Sequence, residues 1–258
     1  MMPNNFRSLN RFINQTHLNA MIRKPDNYRK LLQVSKDAKT VKGEKYGYLT
    51  GIMYLAPANE SGIINTCPFA SNGCKAACLF TSGMAGKFPK INLARIDKTR
   101  FYVEHPEDFK ASLRYDINKL VRDAEKASLK PAVRINGTSD LPKIALEMAR
   151  EFPNVQFYDY TKIPKPYQRT LPNYHVTFSL SENNLEQALD VLQHGGNIAV
   201  VFNSKKGEAL PETWHGYKVV NGDNSDLRFL DESNVVVGLY AKGKAKKDTS
   251  GFVQIAGV

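Results

Sequence analysis

The chain has three cysteines, and they lie close together in the sequence: Cys67, Cys74 and Cys78, in a C-x6-C-x3-C spacing. Soft thiolates bind zinc, copper(I) and iron–sulfur clusters, and a short loop with Pro68 and Gly73 can wrap three sulfurs around one centre. Three protein ligands leave one position open, which is typical of a metal site that does chemistry. We therefore predict that these cysteines hold an iron–sulfur cluster.

Zinc and an unmetallated thiol are the alternatives to the cluster. A closed zinc site needs a fourth ligand, and none stands at CxxC or HxxxH spacing, although a Cys3His site built through the fold stays open. Free cysteine is among the most buried residue types, so simple burial would also account for the three thiols. Their odd number fits poorly with a disulfide framework and better with thiols kept reduced.

The composition is that of a globular protein with a strongly basic balance. Of the 258 residues, 36 are Lys or Arg and 25 are Asp or Glu, which gives a formal charge of +11. Such a field attracts anions, including nucleic acid and acidic partners, and a solvated basic surface is the alternative. No phosphate-loop glycine pattern, G-x-S-x-G elbow or HExxH motif supports a common hydrolase. The basic residues concentrate near the two ends: Arg7, Arg11, Arg23, Lys24, Arg29, Lys30, Lys242, Lys244, Lys246 and Lys247.

No apolar run approaches the roughly 20 residues that cross a bilayer, and the first residues lack the apolar centre of a secretion signal. We therefore expect no membrane partner and a cytoplasmic location. Residues 1–45 read as a basic N-terminal arm, irregular and partly helical, that packs on the rest. Residues 46–258 read as one α/β domain that carries the iron–sulfur site.

The elements that must position the cysteines alternate between strand-like and helix-like stretches. A first strand is predicted at 46–55, directly before the cysteine loop, and helices are predicted near 89–104 and 107–127. Such β–α units need a parallel sheet with helices outside it. Further strands are predicted near residues 132, 155, 174, 197, 217 and 235.

Several of these strands alternate apolar and polar residues, whereas buried parallel strands usually read as continuous apolar runs. In AVRIN, Val133 and Ile135 oppose Arg134, and YHVTFSLS and VQFY alternate in the same way. If helices cover the apolar face, the polar face must line a wet or ligand-filled space. We therefore predict a partial α/β barrel with mostly parallel strands. The alternative is a mixed α+β sheet with one face exposed to water.

Polar residues recur where successive predicted strands end. The carboxyl ends of parallel strands meet at one edge of the sheet, where ligands of α/β folds collect. Turn and capping chemistry is the alternative for each of these residues. The group includes Asp159, Tyr160 and Lys162, which we predict to contact substrate or transfer protons. The other candidates are Asn136, Thr138, Ser139, Asp140, Ser179, Ser181, Glu182 and Asn203.

Three segments carry a resemblance to the gene product 88 family of phage-encoded proteins: TCPFASNGCKAACLFTSG, RINGTSD, and FYDYTK with the following YHVTFSLSEN. This resemblance covers most of residues 45–240. A cysteine loop after a first strand also resembles, in layout, the radical S-adenosylmethionine superfamily. Those enzymes bind a [4Fe-4S] cluster in a (β/α)6 barrel. This chain departs from their usual C-x3-C-x2-C spacing.

The second resemblance implies a function. It implies that S-adenosylmethionine chelates the fourth iron and that the cluster's electron generates a 5′-deoxyadenosyl radical. It also implies a small-molecule substrate at the barrel mouth, and the basic charge favours an anionic one. The alternative is a non-catalytic iron–sulfur or zinc protein that engages nucleic acid or a host protein through its basic arm.

The same resemblance assigns cofactor-binding roles by position on the barrel. Asn136, Thr138, Ser139 and Asp140 would hold the methionyl amino group. Ser179, Ser181 and Glu182 would contact the ribose, and Asn203 would lie near the adenine.

Overall fold

The computed structural model describes residues 23–35, 38–78, 80, 83–169, 171–205 and 207–256. Within these residues the helices are α1 (Ala38–Glu44), α2 (Asn72–Ala76), α3 (Gly83–Lys87), α4 (Pro89–Glu104), α5 (Pro106–Lys126), α6 (Pro142–Glu151) and α7 (Leu185–Gln193). The strands are β1 (Leu32–Val34), β2 (Tyr48–Met53), β3 (Lys130–Arg134), β4 (Gln156–Thr161), β5 (Tyr174–Ser179), β6 (Ile198–Phe202), β7 (Thr213–Trp214), β8 (Tyr217–Asn221), β9 (Val236–Tyr240) and β10 (Val253–Gln254).

The strands form one open, mostly parallel sheet in the order β1-β2-β3-β4-β5-β6-β9-β8-β7, and β10 pairs with β6. Along this order, every pair of neighbouring strands from β2 to β8 is parallel. The two edge strands, β1 and β7, are antiparallel to their neighbours. The predicted α/β class with mostly parallel strands is confirmed. The order contains one crossover, because β9 lies between β6 and β8.

Apolar residues of the strands pack against the helices, as the alternation predicted. Val133 and Ile135 share a core with α5, whose apolar stripe is buried. Gly51 lets this helix approach β2 closely, since a Cβ there would stand 3.3 Å from Leu120 Cδ2. The predicted helix at 107–127 and its buried face are confirmed.

The opposite face of the sheet carries polar and aromatic residues and is covered by the segment 222–235, which joins β8 to β9. From this segment, Phe229 packs edge-on against Tyr48 of β2, with ring centroids 4.9 Å apart. Asp226 accepts hydrogen bonds from Arg134 Nη1 of β3 at 3.0 and 3.1 Å. A segment that leaves one end of the parallel sheet therefore contacts strands at the other end.

Part of the predicted N-terminal arm belongs to the sheet. β1 pairs with β2, and the backbone N–H groups of Leu31 and Leu32 donate to Asp116 Oδ2 of α5 at 2.7 and 2.9 Å. Residues 1–22 of the arm lie outside the described residues.

Candidate functional site

A cavity of about 280 Å³ opens at the carboxyl edge of the parallel strands. It is walled by the cysteine loop, by the ends of β3 to β5, by β9 and by residues 243–256, which we call the mouth segment. Four predicted site residues lie outside its lining: Asp159, Ser181, Glu182 and Asn203. The predicted residues that line it are Cys67, Cys74, Cys78, Asn136, Thr138, Ser139, Asp140, Tyr160, Lys162 and Ser179.

Hydrogen bonds to the strand ends hold the first part of the cysteine loop. Thr66 Oγ1 donates to the Ala56 carbonyl at 2.6 Å, and the Thr66 carbonyl accepts from the Asp140 N–H at 2.8 Å. The next thiol, Cys67 Sγ, lies 3.7 Å from the Thr138 carbonyl oxygen. The loop between β2 and α2 is thus fixed to the turn after β3.

Glu182 holds the second part of the loop. Its carboxylate accepts from Ser71 Oγ at 2.6 Å and from the Gly73 N–H at 2.7 Å, while Ser71 Oγ accepts from the Cys74 N–H at 3.1 Å. Burial alone would raise the pKa of Glu182, but these hydrogen bonds lower it below its usual value. Sequence reasoning placed Glu182 at the ribose, whereas its contacts connect it to Cys74.

Gly73 is required where the loop meets Glu182 and the mouth segment. A Cβ at this position would meet Ser250 Oγ and would lie 2.8 Å from Glu182 Oε2 and 2.9 Å from Phe252 Cβ. Any larger residue would push the loop away from both neighbours. The glycine therefore sets how closely the cysteine loop is covered.

The three thiols lie near one another in an apolar setting. Burial raises the pKa of each thiol, and for Cys67 and Cys78 the neighbouring thiols contribute to the rise, which brings the pKa of Cys78 to about 11. For Cys74, the nearby Lys162 ammonium acts in the opposite direction. Thiols whose pKa is raised in this way are protonated at neutral pH, and a metal that binds them takes the place of the proton.

Unbridged thiols are the type of ligand that iron–sulfur clusters use. The three cysteines are not joined by disulfides, and apolar Ala70, Ala77 and Phe252 line the cavity beside them. Among the described residues, no group of three or more His, Cys, Asp and Glu side chains is arranged to hold a metal ion. A cluster accepts more widely spaced thiolates than one ion does, because each cysteine binds a different iron.

Among the described residues, the histidines lie away from this cavity. None of the described histidines lines it, and His17 lies outside the described residues. The described part of the chain thus offers the three thiols no imidazole partner.

Lys162 brings a cation to the cavity beside the cysteines. Its Nζ donates to the carbonyls of Ser179 and Leu180 at 3.3 and 3.2 Å and lies 5.4 Å from the centre of the Phe252 ring. Burial lowers the pKa of Lys162, whereas the Cys74 thiol and the Asp140 carboxylate raise it. The ammonium is therefore positioned to offset negative charge on the thiolates.

Asp140 supports the same wall. Its carboxylate accepts from Thr161 Oγ1 and from the Lys162 N–H, both at 2.8 Å. Burial raises the pKa of Asp140, and these hydrogen bonds oppose the rise. These hydrogen bonds join the turn after β3 directly to the end of β4.

Asp159 lies behind the cavity wall and is 1% exposed. Its carboxylate accepts from the Asn136 N–H at 2.7 Å, from Asn136 Nδ2 at 2.9 Å and from Tyr174 Oη at 3.1 Å. Burial raises the pKa of Asp159 to about 7, although these bonds act to lower it. Asp159 holds the Asn136 turn, and its position gives no direct route to a substrate in the cavity.

Ser181 and Asn203 also serve local structure. Ser181 Oγ donates to Asn183 Oδ1 at 3.1 Å in the turn before α7. Asn203 Oδ1 accepts a hydrogen bond from the Ala256 N–H at 2.9 Å. Ala256 follows β10, and β10 pairs with the last residues of β6, beyond the residues that pair with β5. The mouth segment therefore lies beside Asn203, where sequence reasoning expected the adenine.

Sequence reasoning missed the floor of the cavity, which is a buried ion pair. Arg134 pairs with Asp226, stands over the Tyr160 ring at 4.6 Å, and has a buried Nε without a hydrogen-bond partner. Tyr158 Oη also donates to Asp226, at 3.2 Å. The sequence signal for this pair was Arg134, the one charged residue in the strand AVRIN. Its partner, 92 positions further on, had none.

The fold and the cavity define an α/β protein with a thiol-lined site at the carboxyl edge of a parallel sheet. A family model described as gene product 88 matches residues 23–255. The chain therefore belongs to the gene product 88 family of phage proteins, as its motifs predicted. No curated protein and no solved structure matches it. In the described part of the chain, no helix is both long and apolar enough to span a membrane.

Proposed function

We propose that this chain is an iron–sulfur protein in which Cys67, Cys74 and Cys78 hold a [4Fe-4S] cluster. We further propose that it is a radical S-adenosylmethionine-like enzyme acting on an anionic substrate. One observation carries the proposal: three unbridged thiols line a single cavity at the carboxyl edge of a parallel sheet. The cluster, when bound, would supply the electron that cleaves S-adenosylmethionine.

A partial-barrel arrangement is part of this proposal. Lys42 Nζ of α1 donates to the Asp223 carbonyl at 2.6 Å, and the rings of Tyr48 and Phe229 meet at 4.9 Å. In a flat sheet, strands β2 and β8 would lie roughly 29 Å apart, since neighbouring strands are about 4.8 Å apart. Contacts between their flanking segments support a sheet that curves around the segment 222–235.

The residues of the cavity would then have distinct tasks. Lys162 would offset negative charge beside Cys74, and Phe252 of the mouth segment would exclude water. Asn136, Thr138 and Ser139 stay candidates for the methionyl amino group, and Ser179 for the ribose. Tyr160 and the Arg134–Asp226 pair would face the substrate.

We also propose that the protein works in the cytoplasm of the host cell. Its three cysteines are unbridged, and a reducing compartment keeps such thiols available for metal.

The test is anaerobic reconstitution followed by addition of dithionite and S-adenosylmethionine. We expect a brown protein with about four irons per chain that forms 5′-deoxyadenosine. A colourless protein with one zinc would refute the cluster. A brown protein that neither forms 5′-deoxyadenosine nor binds S-adenosylmethionine in calorimetry would refute the enzyme and favour a non-catalytic iron–sulfur protein.

Single substitutions locate the cluster. Replacing any one of Cys67, Cys74 and Cys78 by Ala should abolish the visible absorption and the bound iron. His105→Ala is the matched control and should retain both, because His105 lies at the junction of α4 and α5, outside the cavity lining.

A further inference from the structure

Four exposed lysines lie within two positions of a residue that lines the cavity, and we call them the lysine rim: Lys75, Lys244, Lys246 and Lys247. Lys75 directly follows Cys74 in α2, and two of the others flank Ala245 in a short 3₁₀ helix. Cys74 and Ala245 both line the cavity. Ala77 packs in one cluster with Ala245, so the cysteine loop and the mouth segment meet here.

The four lysines of the rim are exposed to solvent. Among the described residues, no carboxylate forms an ion pair with any of these four ammonium groups. Three carboxylates of the same region already have partners. Glu182 accepts from the cysteine loop, Asp248 accepts from Ser250 and Val253, and Asp223 pairs with Lys242.

An exposed aromatic ring accompanies these charges. Phe69 is 51% exposed and lies in the cysteine loop between Cys67 and Ala70, which both line the cavity. Proteins that bind single-stranded nucleic acid combine cations that follow the phosphates with aromatic rings on which bases stack. A duplex buries its base faces and cannot use such a ring.

We propose that the lysine rim and Phe69 bind single-stranded nucleic acid across the cavity mouth. The lysines contact phosphates, and one base stacks on Phe69. This inference does not rest on the proposed function, because none of these side chains binds the cluster.

The test measures the fluorescence anisotropy of a labelled oligothymidylate with the anaerobically purified full chain. Four phosphate contacts to a single strand predict that binding weakens about 50-fold between about 50 and about 200 mM salt. The triple variant K244E/K246E/K247E should bind at least about tenfold more weakly, with a shallower salt dependence. F69A should bind at least about fivefold more weakly at fixed salt.

The matched control is K126E/K143E/R150E, which makes the same change in net charge on exposed positions of α5 and α6. It should bind within about threefold of the wild type. Equal losses in the two triple variants would overturn the proposal, since net charge alone would then explain binding. Unchanged binding by F69A, or equal competition by a duplex, would overturn the single-strand assignment. Circular dichroism melting confirms that each variant is folded.

Discussion

The substitution Glu182→Gln asks how firmly the cysteine loop is held. The carboxylate accepts hydrogen bonds from Ser71 Oγ at 2.6 Å and from the Gly73 N–H at 2.7 Å. Hydrogen bonds to charged groups contribute about 1.5–3 kcal/mol each, and the partial exposure of Glu182 favours the lower end. Gln keeps one acceptor and loses the charge, so we expect a cost of about 1–2 kcal/mol, or about 5–30-fold in the loop-closing equilibrium.

Hydrogen exchange followed by mass spectrometry measures this equilibrium in peptides that cover residues 71–78. These amides should exchange about 5–30-fold faster in E182Q, while those of α5 keep their rates. E186Q is the control, because Glu186 is exposed in the first turn of α7. Wild-type exchange in E182Q, or equal acceleration in E186Q, would refute the assignment of this carboxylate as the attachment point.

The pH dependence of the same exchange provides a second check. Burial alone would raise the pKa of Glu182, but the hydrogen bonds from the loop lower it below the ordinary 4.5. The attachment is therefore complete above about pH 4.5 and is lost as the pH falls through the lowered pKa. The wild-type loop should loosen only in that acidic range, and E182Q should show no such transition.

Three further substitutions test other parts of the site. Asp226→Ala leaves Arg134 buried without its counter-charge and should cost about 3–5 kcal/mol in urea unfolding, much of which the double variant R134L/D226L should recover. Burial raises the pKa of Asp159 from 3.8 to about 7. Between these two pH values the Asp159 carboxyl is protonated in the native state and ionised in the unfolded state, so the native state loses stability as the pH rises. The Tm of the wild type should therefore fall between pH 5 and 8, and that of D159N should fall less. Gly73→Ala, which meets Ser250, should speed exchange in the cysteine loop without lowering the Tm by more than about 4 °C.

The sequence was sufficient for the class of the fold and for the faces of its main strands. Period-two alternation in AVRIN placed Val133 and Ile135 against α5 and Arg134 on the other face, because successive side chains of a strand point in opposite directions. The same rule, applied to FYDYTK, would have placed Asp159 opposite Tyr158 and Tyr160. Asp159 was instead predicted to contact substrate, because it lies where a predicted strand ends.

The rest of the site depends on contacts that no local pattern contains. Strands β1, β7 and β10 have only two or three residues each, too few for a periodic signal. The insertion of β9 between β6 and β8 follows from pairing over long separations. Asp226 and Phe252 resemble ordinary turn residues until the chain brings them to Arg134 and to the cysteine loop.

Two walls of the cavity, the cysteine loop and the mouth segment, come from distant parts of the chain. The cysteine loop leaves the ribosome well before Phe252, and at about 5–20 residues per second the interval is on the order of ten seconds or more. During that interval Gly73 has no mouth segment against it, so this side of the cysteine loop is uncovered. Synthesis thereby orders the events at this site: the cysteine loop is made first, and Phe252 packs against it afterwards.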